Sequence, residues 1–198
     1  MKTLILFYLL TTIAFGFEQK DIDKLFKEEI CKGCDFNGVD FSNKDLSGFE
    51  MEDANFKNAN LKNTNLFMAN LEGSDLSGAN LENTMLWKAN LSFTTLKNVN
   101  AKQINLKGAN LQNATLIESD FSYSISWKAN FTDAVIENSN FSNSELGDAK
   151  FYHNDLRTNN LENTILWKTK FKETILTKKQ CEDAQKEEAI FLENVVCK

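Results

Sequence analysis

The chain has 198 residues, with 28 acidic and 22 basic side chains, a formal net charge of -6 and one histidine. This acidic balance disfavours nucleic acid as a partner, because phosphate binding relies on clustered lysine and arginine. The sequence contains no glycine-rich phosphate loop and no cluster of metal-ligating residues, so we predict a protein that is not an enzyme and has no cofactor or metal site.

The N-terminal segment, residues 1–16, has the pattern of a secretory signal peptide. One lysine precedes an apolar run, and Ala14 and Gly16 supply the small residues typical of a cleavage site. The apolar run is too short to remain as a membrane-spanning helix. We therefore predict cleavage after Gly16, an exported protein that is periplasmic or secreted, and a mature chain without a transmembrane segment.

Residues 17–33 are predicted to form an N-terminal helical cap. Ile22, Leu25 and Phe26 recur at helical spacing, and Asp21 is predicted to be the N-cap residue. Such a helix would cover the open end of the repeat that follows, as the ends of solenoid proteins require.

Residues 34–178 are built on a period of five. Every fifth position from Phe36 to Leu176, which we refer to as a central residue, is Leu, Phe, Met or Ile, except for Ala101 and Ser126. The residue two places before each central residue is small in most units, and the residue directly before it is usually Asn or Asp. A spacing of five fits neither a single helix nor a single strand. It therefore indicates a repeat architecture in which central and small side chains face one interior.

This pattern resembles the pentapeptide-repeat family, written A(D/N)LXX, over nearly the whole of the predicted mature chain. The resemblance implies an all-β solenoid: a right-handed quadrilateral parallel β-helix with one unit per side, about 20 residues per coil and about seven coils. It also implies ladders of like central residues, such as Phe131, Phe151 and Phe171. Some family members are acidic mimics of duplex DNA that bind topoisomerases, and the resemblance therefore implies an alternative function as an inhibitor of a nucleic-acid-binding enzyme.

Residues 179–198 are predicted to form a C-terminal helical cap. The period stops after Leu176, and a charged helix-forming segment is followed by the apolar residues Ile190, Phe191 and Leu192. We predict a helix, a return segment and a lid over the last coil.

The four cysteines lie in two pairs, one at each end of the repeat: Cys31, Cys34, Cys181 and Cys197. In an exported chain they suggest disulfides, and four cysteines allow three connectivities. Bridged cysteines have Cα atoms within about 7 Å, whereas the family geometry makes the solenoid about 35 Å long, so pairing between the ends is excluded. We predict one structural bridge at each end. A redox or metal role for the C-x-x-C pair would need a thioredoxin-like context or a nearby histidine, and the sequence offers neither.

One feature is not required by the repeat, namely an outward apolar stripe. Trp87, Trp127 and Trp167 are 40 residues apart, or two predicted coils, and a lysine follows each of them. Each tryptophan directly follows a central residue and should point outward from the same side. The residue before each of these central residues is also apolar, where Asn or Asp is usual. Adding Phe67 gives what we name the tryptophan stripe, interrupted by Lys107 and Gly147: Phe67, Met85, Trp87, Ile125, Trp127, Ile165 and Trp167.

The tryptophan stripe favours a binding function. Contiguous exposed apolar patches mark interaction sites, and Trp is a common interface anchor. We predict a non-catalytic exported scaffold or protein-interaction module whose partner is another protein, a second copy of the chain or a glycan. Three structural explanations stay open: the rings lie flat on neighbouring corners, the 40-residue similarity only records duplication, or the terminal segments cover the stripe. The single histidine, His153, is predicted at a solvent-facing corner without a catalytic role.

Overall fold

The computed structural model describes residues 19–198. The predicted signal peptide, residues 1–16, lies outside the described residues, as do the first two residues of the predicted N-terminal cap. Within the described range, no helix combines the length and the apolar character needed to cross a membrane.

Each pentapeptide unit contains a tight turn. The carbonyl of a central residue accepts a hydrogen bond from the N–H three residues later, as Phe56 O does from Ala59 N at 3.0 Å. The residue two places after the central residue has a positive φ, which is 55° at Asn58 and 71° at Gly38. Asn and Gly adopt this left-handed conformation at the lowest cost, which explains why they recur at this position.

The residue before the central residue stabilises the same turn. Asp40 Oδ1 accepts the N–H of Ser42 at 2.9 Å, and Asn60 Oδ1 accepts the N–H of Lys62 at 3.3 Å. These side chains also bond from coil to coil, since Asn60 Nδ2 donates to Asp40 Oδ1 at 2.9 Å. A side-chain oxygen at this position therefore serves both the turn and the stack.

Four parallel ladders form the walls of the molecule. Most bridges join residues 20 positions apart, so one coil takes 20 residues. We number the sides by their bridging residues: side 1 runs through residues 50, 70 and 90, side 2 through 55, 75 and 95, side 3 through 60, 80 and 100, and side 4 through 65, 85 and 105. The chain is a four-sided parallel β-solenoid, and the predicted fold class is confirmed.

Short strands and two helices complete the element order. The helices are α1 (Gln19–Glu28) and α2 (Lys178–Lys186). The strands are β1 (Thr95–Lys97), β2 (Thr115–Ile117), β3 (Val135–Glu137), β4 (Lys150–Tyr152), β5 (Lys170–Lys172), β6 (Ile175–Leu176), β7 (Ile190–Phe191) and β8 (Val196–Cys197). Strands β1, β2 and β3 stack on side 2, β4, β5 and β7 stack on side 1, and β6 pairs with β8; every pair is parallel.

The central residues are buried in the interior as ladders. The ring of Phe151 stacks between those of Phe131 and Phe171, with centroid distances of 4.8 Å and 5.8 Å. Phe121 and Phe141 stack at 5.0 Å on another wall. All five rings are buried, and each buried Phe or Leu side chain stabilises the fold by roughly 1.5–3 kcal/mol, so the filled interior provides the main stabilisation.

At the N-terminal end, α1 covers the first coil. Leu25 is buried, and the Phe26 ring lies 6.3 Å from Phe41 and 6.4 Å from Phe49. The expectation that Asp21 is the N-cap residue is wrong, because Asp21 lies inside α1. Its Oδ2 instead accepts the N–H of Asp35 at 2.9 Å, since that N–H faces an end with no coil beneath it.

At the C-terminal end, a helix is followed by two strands. Thr177 and Gln180 form a capping box that starts α2. After α2 the chain returns as β7 on side 1 and β8 on side 2, so the expected return segment consists of two short strands. The apolar residues of this segment favour strand pairing because they extend the ladders, and Phe191 lies 5.8 Å from Phe171.

The structure contains one disulfide at each end of the solenoid. Cys31 and Cys34 are bonded with Cα atoms 5.5 Å apart, and Cys181 and Cys197 with Cα atoms 6.1 Å apart. The second bridge ties α2 to β8, and therefore closes the return segment against the end of the rod.

Candidate interaction surface

The ladders bring the residues of the tryptophan stripe together on side 4. Consecutive bridges join Asn65 to Met85, Met85 to Asn105, Asn105 to Ile125, Ile125 to Glu145 and Glu145 to Ile165. Each aromatic side chain lies two positions further along its coil, just after the buried central residue. The stripe therefore follows the rod axis along one wall.

Most of the stripe is accessible to solvent. The exposed fraction is 43% for Met85 and Ile165 and 38% for Trp87 and Trp167, while Phe67 and Trp127 are half-buried. The described parts of the terminal segments therefore leave the stripe open. Met68, with 56% of its surface exposed, extends the patch next to Phe67. We missed Met68 in the sequence, although an apolar residue two places after a central residue, where Asn or Gly is common, is a usable signal.

Two pairs of aromatic rings organise the stripe. The Phe67 and Trp87 centroids lie 5.2 Å apart, and those of Trp127 and Trp167 lie 5.9 Å apart although two coils separate these tryptophans in sequence. Such tilted ring pairs contribute about 0.5–1.5 kcal/mol beyond their buried area. The rings are therefore held in place before any partner binds.

The Trp127 ring lies over Gly147. The expectation that Gly147 interrupts the tryptophan stripe is therefore wrong. A Cβ atom built on Gly147 would fall within about 2.6 Å of three atoms of that ring, which is too close for any real contact. The Trp127 indole nitrogen also donates to Glu145 Oε2 at 2.7 Å. The absence of a side chain at Gly147 lets the ring lean across the intervening coil towards Trp167.

Lysines flank the rings and make this side more basic than the rest of the chain. The ammonium of Lys168 lies 4.0 Å from the Trp167 ring centroid, and those of Lys88 and Lys107 lie 5.3 Å and 5.7 Å from the Trp87 centroid. These are cation–π distances. On side 4 between residues 65 and 168 the charged residues are Lys88, Lys107, Lys128, Glu145, Asp148 and Lys168.

Four carboxylates on the other sides, those of Asp53, Asp75, Glu82 and Asp120, pair with lysines of adjacent coils. Lys57 bonds Asp75 at 3.0 Å, and Lys102 bonds Asp120 at 3.3 Å. Burial raises the pKa of Asp120, but hydrogen bonds from Ser122 and the neighbouring Lys102 outweigh it, so the pKa lies below its ordinary value. An acidic mimic of duplex DNA would need a continuous acidic face, and Lys57, Lys62 and Lys102 interrupt the acidic residues on sides 2 and 3.

The single histidine lies between two carboxylates on side 1. His153 Nδ1 is 2.6 Å from Asp133 Oδ1, and its Nε2 is 3.6 Å from Glu173 Oε2; all three side chains are partly exposed. Within residues 19–198, no group of three or more His, Cys, Asp or Glu residues is placed to hold a metal ion.

A filled four-sided parallel β-solenoid with an aromatic wall defines a repeat scaffold. The family model described as pentapeptide repeats matches in eight copies, over residues 34–73, 66–100, 96–125 and 129–167. The chain therefore belongs to the pentapeptide-repeat family, whose members are generally non-catalytic structural or interaction modules.

Three solved structures are similar to the chain, and the first of them shares its fold. A variant of QnrB1, a plasmid-mediated fluoroquinolone resistance protein, is 16% identical over 85% of this chain and 80% of its own, with a TM-score of 0.56. A pentapeptide repeat protein of the Arabidopsis thaliana thylakoid lumen is 28% identical over 61% of this chain and 70% of its own, with a TM-score of 0.32. HetL from the cyanobacterium Nostoc, involved in heterocyst differentiation regulation, is 19% identical over 89% and 91% of the two chains, with a TM-score of 0.27. The comparison with curated proteins yields no match.

Proposed function

We propose that the protein is an exported, non-catalytic scaffold that binds another protein through the tryptophan stripe. The observation that carries this proposal is the row of exposed aromatic and aliphatic side chains along side 4, where the repeat itself calls for polar residues. Exposed apolar patches of this kind are typical of binding sites, and Trp is one of the residue types enriched among interface anchors.

The stripe is suited to binding because its rings are already ordered. Trp127 lies on Gly147 and contacts Trp167, so little side-chain entropy remains to be lost on association. The lysines beside the rings favour a partner that presents carboxylates around an apolar centre. Complementary charge of this kind speeds association and selects the partner more than it adds affinity.

Export is supported by two features. Residues 1–16 have the signal-peptide pattern, and both disulfides suit an oxidising compartment. The periplasm or the exterior is therefore the compartment in which the partner should be sought.

The test is crosslinking in the native compartment followed by identification of the captured partner. The variant W87S/W127S/W167S should lose that partner while its circular dichroism spectrum is unchanged. A matched control removes three exposed apolar side chains from the other sides, F93S/Y123S/V135S, and should retain the partner. Equal capture of the partner by both variants would refute the proposal. Capture of a second copy of the chain or of a glycan would instead assign the stripe to self-association or to glycan binding.

A further inference from the structure

The last coil has an open edge on two of its four sides. Strands β7 and β8 continue sides 1 and 2, whereas above sides 3 and 4 the chain forms α2 instead of a further strand. The edge there ends in three N–H groups and one carbonyl that have no partner among the residues the structure describes: the N–H groups of Leu161, Asn163 and Leu166 and the carbonyl of Thr164.

The same positions are paired in the coils below. For example, the N–H groups of Leu81, Asn83 and Leu86 donate to the coil above them, with N to O distances of 2.7 Å, 3.0 Å and 2.8 Å. The carbonyl of Thr84 accepts a bond from that coil at 3.0 Å. The unpaired groups of the last coil therefore occupy the same positions as groups that pair with a parallel strand in the lower coils, but no such strand follows them.

The open edge lines a cavity of about 590 Å³ between the last coil and α2. Gln180 Nε2 closes one end of the edge by donating to the carbonyl of Asn159 at 3.0 Å. The carbonyl of Glu188 closes the other end by accepting from Lys168 N at 3.2 Å. Only the stretch between Asn159 and Lys168 lacks ladder bonds to a further coil. The length of this stretch determines how long a segment bound there can be.

We propose that this edge binds an extended segment of another polypeptide, about six residues long, which adds the missing third and fourth walls of the next coil. The free N–H and carbonyl groups supply the affinity, because strand addition replaces water with backbone partners on an edge that is already formed. Leu161, Leu166 and Thr164 line the cavity and favour small or aliphatic side chains facing inward.

A second copy of the chain stacked end to end does not fit the edge. Helix α1 packs against Phe41 and Phe49 at the first coil, and α2 packs at the last coil with Cys181 and Ala184 buried. A helix is about 10 Å thick, whereas neighbouring strands in a ladder are only about 4.8 Å apart. The lower edge of sides 3 and 4 also carries Asp40 and Asp45, and charged residues on an edge discourage pairing.

The chain itself supplies the probe for this site. Residues 99–108, VNAKQINLKG, occupy sides 3 and 4 in the folded protein. They make the ladder bonds to Leu81, Asn83, Leu86 and Thr84 described above. The groups that take part are the carbonyls of Asn100, Lys102 and Asn105 and the N–H of Asn105. A peptide of this sequence with capped termini should slow amide exchange at Leu161, Asn163 and Leu166 by at least roughly tenfold at saturation. The amide of Leu81, already paired, should be unaffected, and the measurement is hydrogen exchange by NMR on the intact protein.

A matched peptide provides the control. Asn105→Pro in the peptide removes the N–H that would reach the Thr164 carbonyl, and this peptide should leave the three amides unprotected. Unchanged exchange with millimolar peptide, or equal protection by both peptides, would overturn the proposal. Protection that rises with protein concentration without peptide would assign the edge to a second copy and overturn it as well. The probe contains no tryptophan, and W87S/W127S/W167S should bind it normally, so the result is independent of the proposed function.

Discussion

Aspartates that hold a turn have pKa values below the ordinary range. The hydroxyl and the N–H of Ser42 lower the pKa of Asp40, and those of Ser47 lower the pKa of Asp45. A carboxyl group whose pKa is lower in the folded than in the unfolded state adds stability above its unfolded pKa and loses it as the pH falls through the folded value. These two residues therefore stabilise the first coil at neutral pH and cease to do so in acid.

The variant D40N/D45N should reduce this acid sensitivity. Asn60 in the next coil makes the same turn bond as Asp40 without a charge, so the substitution preserves the turn. Urea unfolding midpoints should be nearly equal for both proteins at pH 7, and the variant should lose less stability than the wild type below about pH 4. Parallel curves for the two proteins across this range would show that the aspartates do not contribute.

A glycine is required at position 147 by a single neighbour, the Trp127 ring, rather than by the backbone conformation. Its φ is not in the left-handed region, so alanine is compatible with the backbone and by itself should stabilise the fold by about 0.4–1 kcal/mol. In the wild type the added methyl group must displace the ring. We therefore expect G147A to lower the free energy of unfolding and to shift the Trp fluorescence to longer wavelength.

A double-mutant cycle separates the effect of alanine on the backbone at position 147 from the displacement of the Trp127 ring. In the W127A background no ring lies on Gly147, so G147A should be neutral or stabilising there, with a coupling energy of about 0.5–3 kcal/mol. The measurement is urea unfolding of the four proteins. The same effect of G147A in both backgrounds would show that Trp127 does not rest on this position in solution.

At the scale of elements, the C-terminal end depends on one covalent link. Helix α2 begins at a capping box, but β7 and β8 are only two residues long, and their pairing alone cannot hold the return segment. The Cys181–Cys197 bridge spans a sequence separation of 16 residues and so limits the freedom of this segment when it opens.

Removing this bridge should loosen the last ladder bonds before the rest of the rod. In C181A/C197A, we expect a loss of about 3 kcal/mol in the local stability of the end, from the lost chain constraint. Amide exchange should accelerate at Ile190, Leu192 and Val196, which bond Thr169, Phe171 and Thr174. Amides of the central coils, such as Leu86, serve as the control, and uniform acceleration throughout would mean that the bridge stabilises the whole solenoid.

At the scale of the whole molecule, the interior of the rod provides stability, and its outer surface is available for recognition. The interior of stacked Phe and Leu residues holds the fold together, and four walls of short parallel bridges leave the outer side chains free to vary. Side 4 uses this freedom for an apolar stripe with flanking lysines, while the other sides carry mostly polar and charged side chains. The stripe and the open edge meet at Ile165, which belongs to the stripe and lines the cavity beside α2.

Much of this architecture follows from the sequence alone. Because the direction of a side chain depends on its place within five residues, the period determines which residues fill the interior and which point outward, and the spacing of 40 places the tryptophans on one side. Only the tertiary structure showed that Trp127 lies over Gly147, that Lys107 lies over Trp87, and that sides 3 and 4 end in an open edge. These features depend on contacts between residues 18 to 40 positions apart and on the path of α2, and a local period carries no information about either.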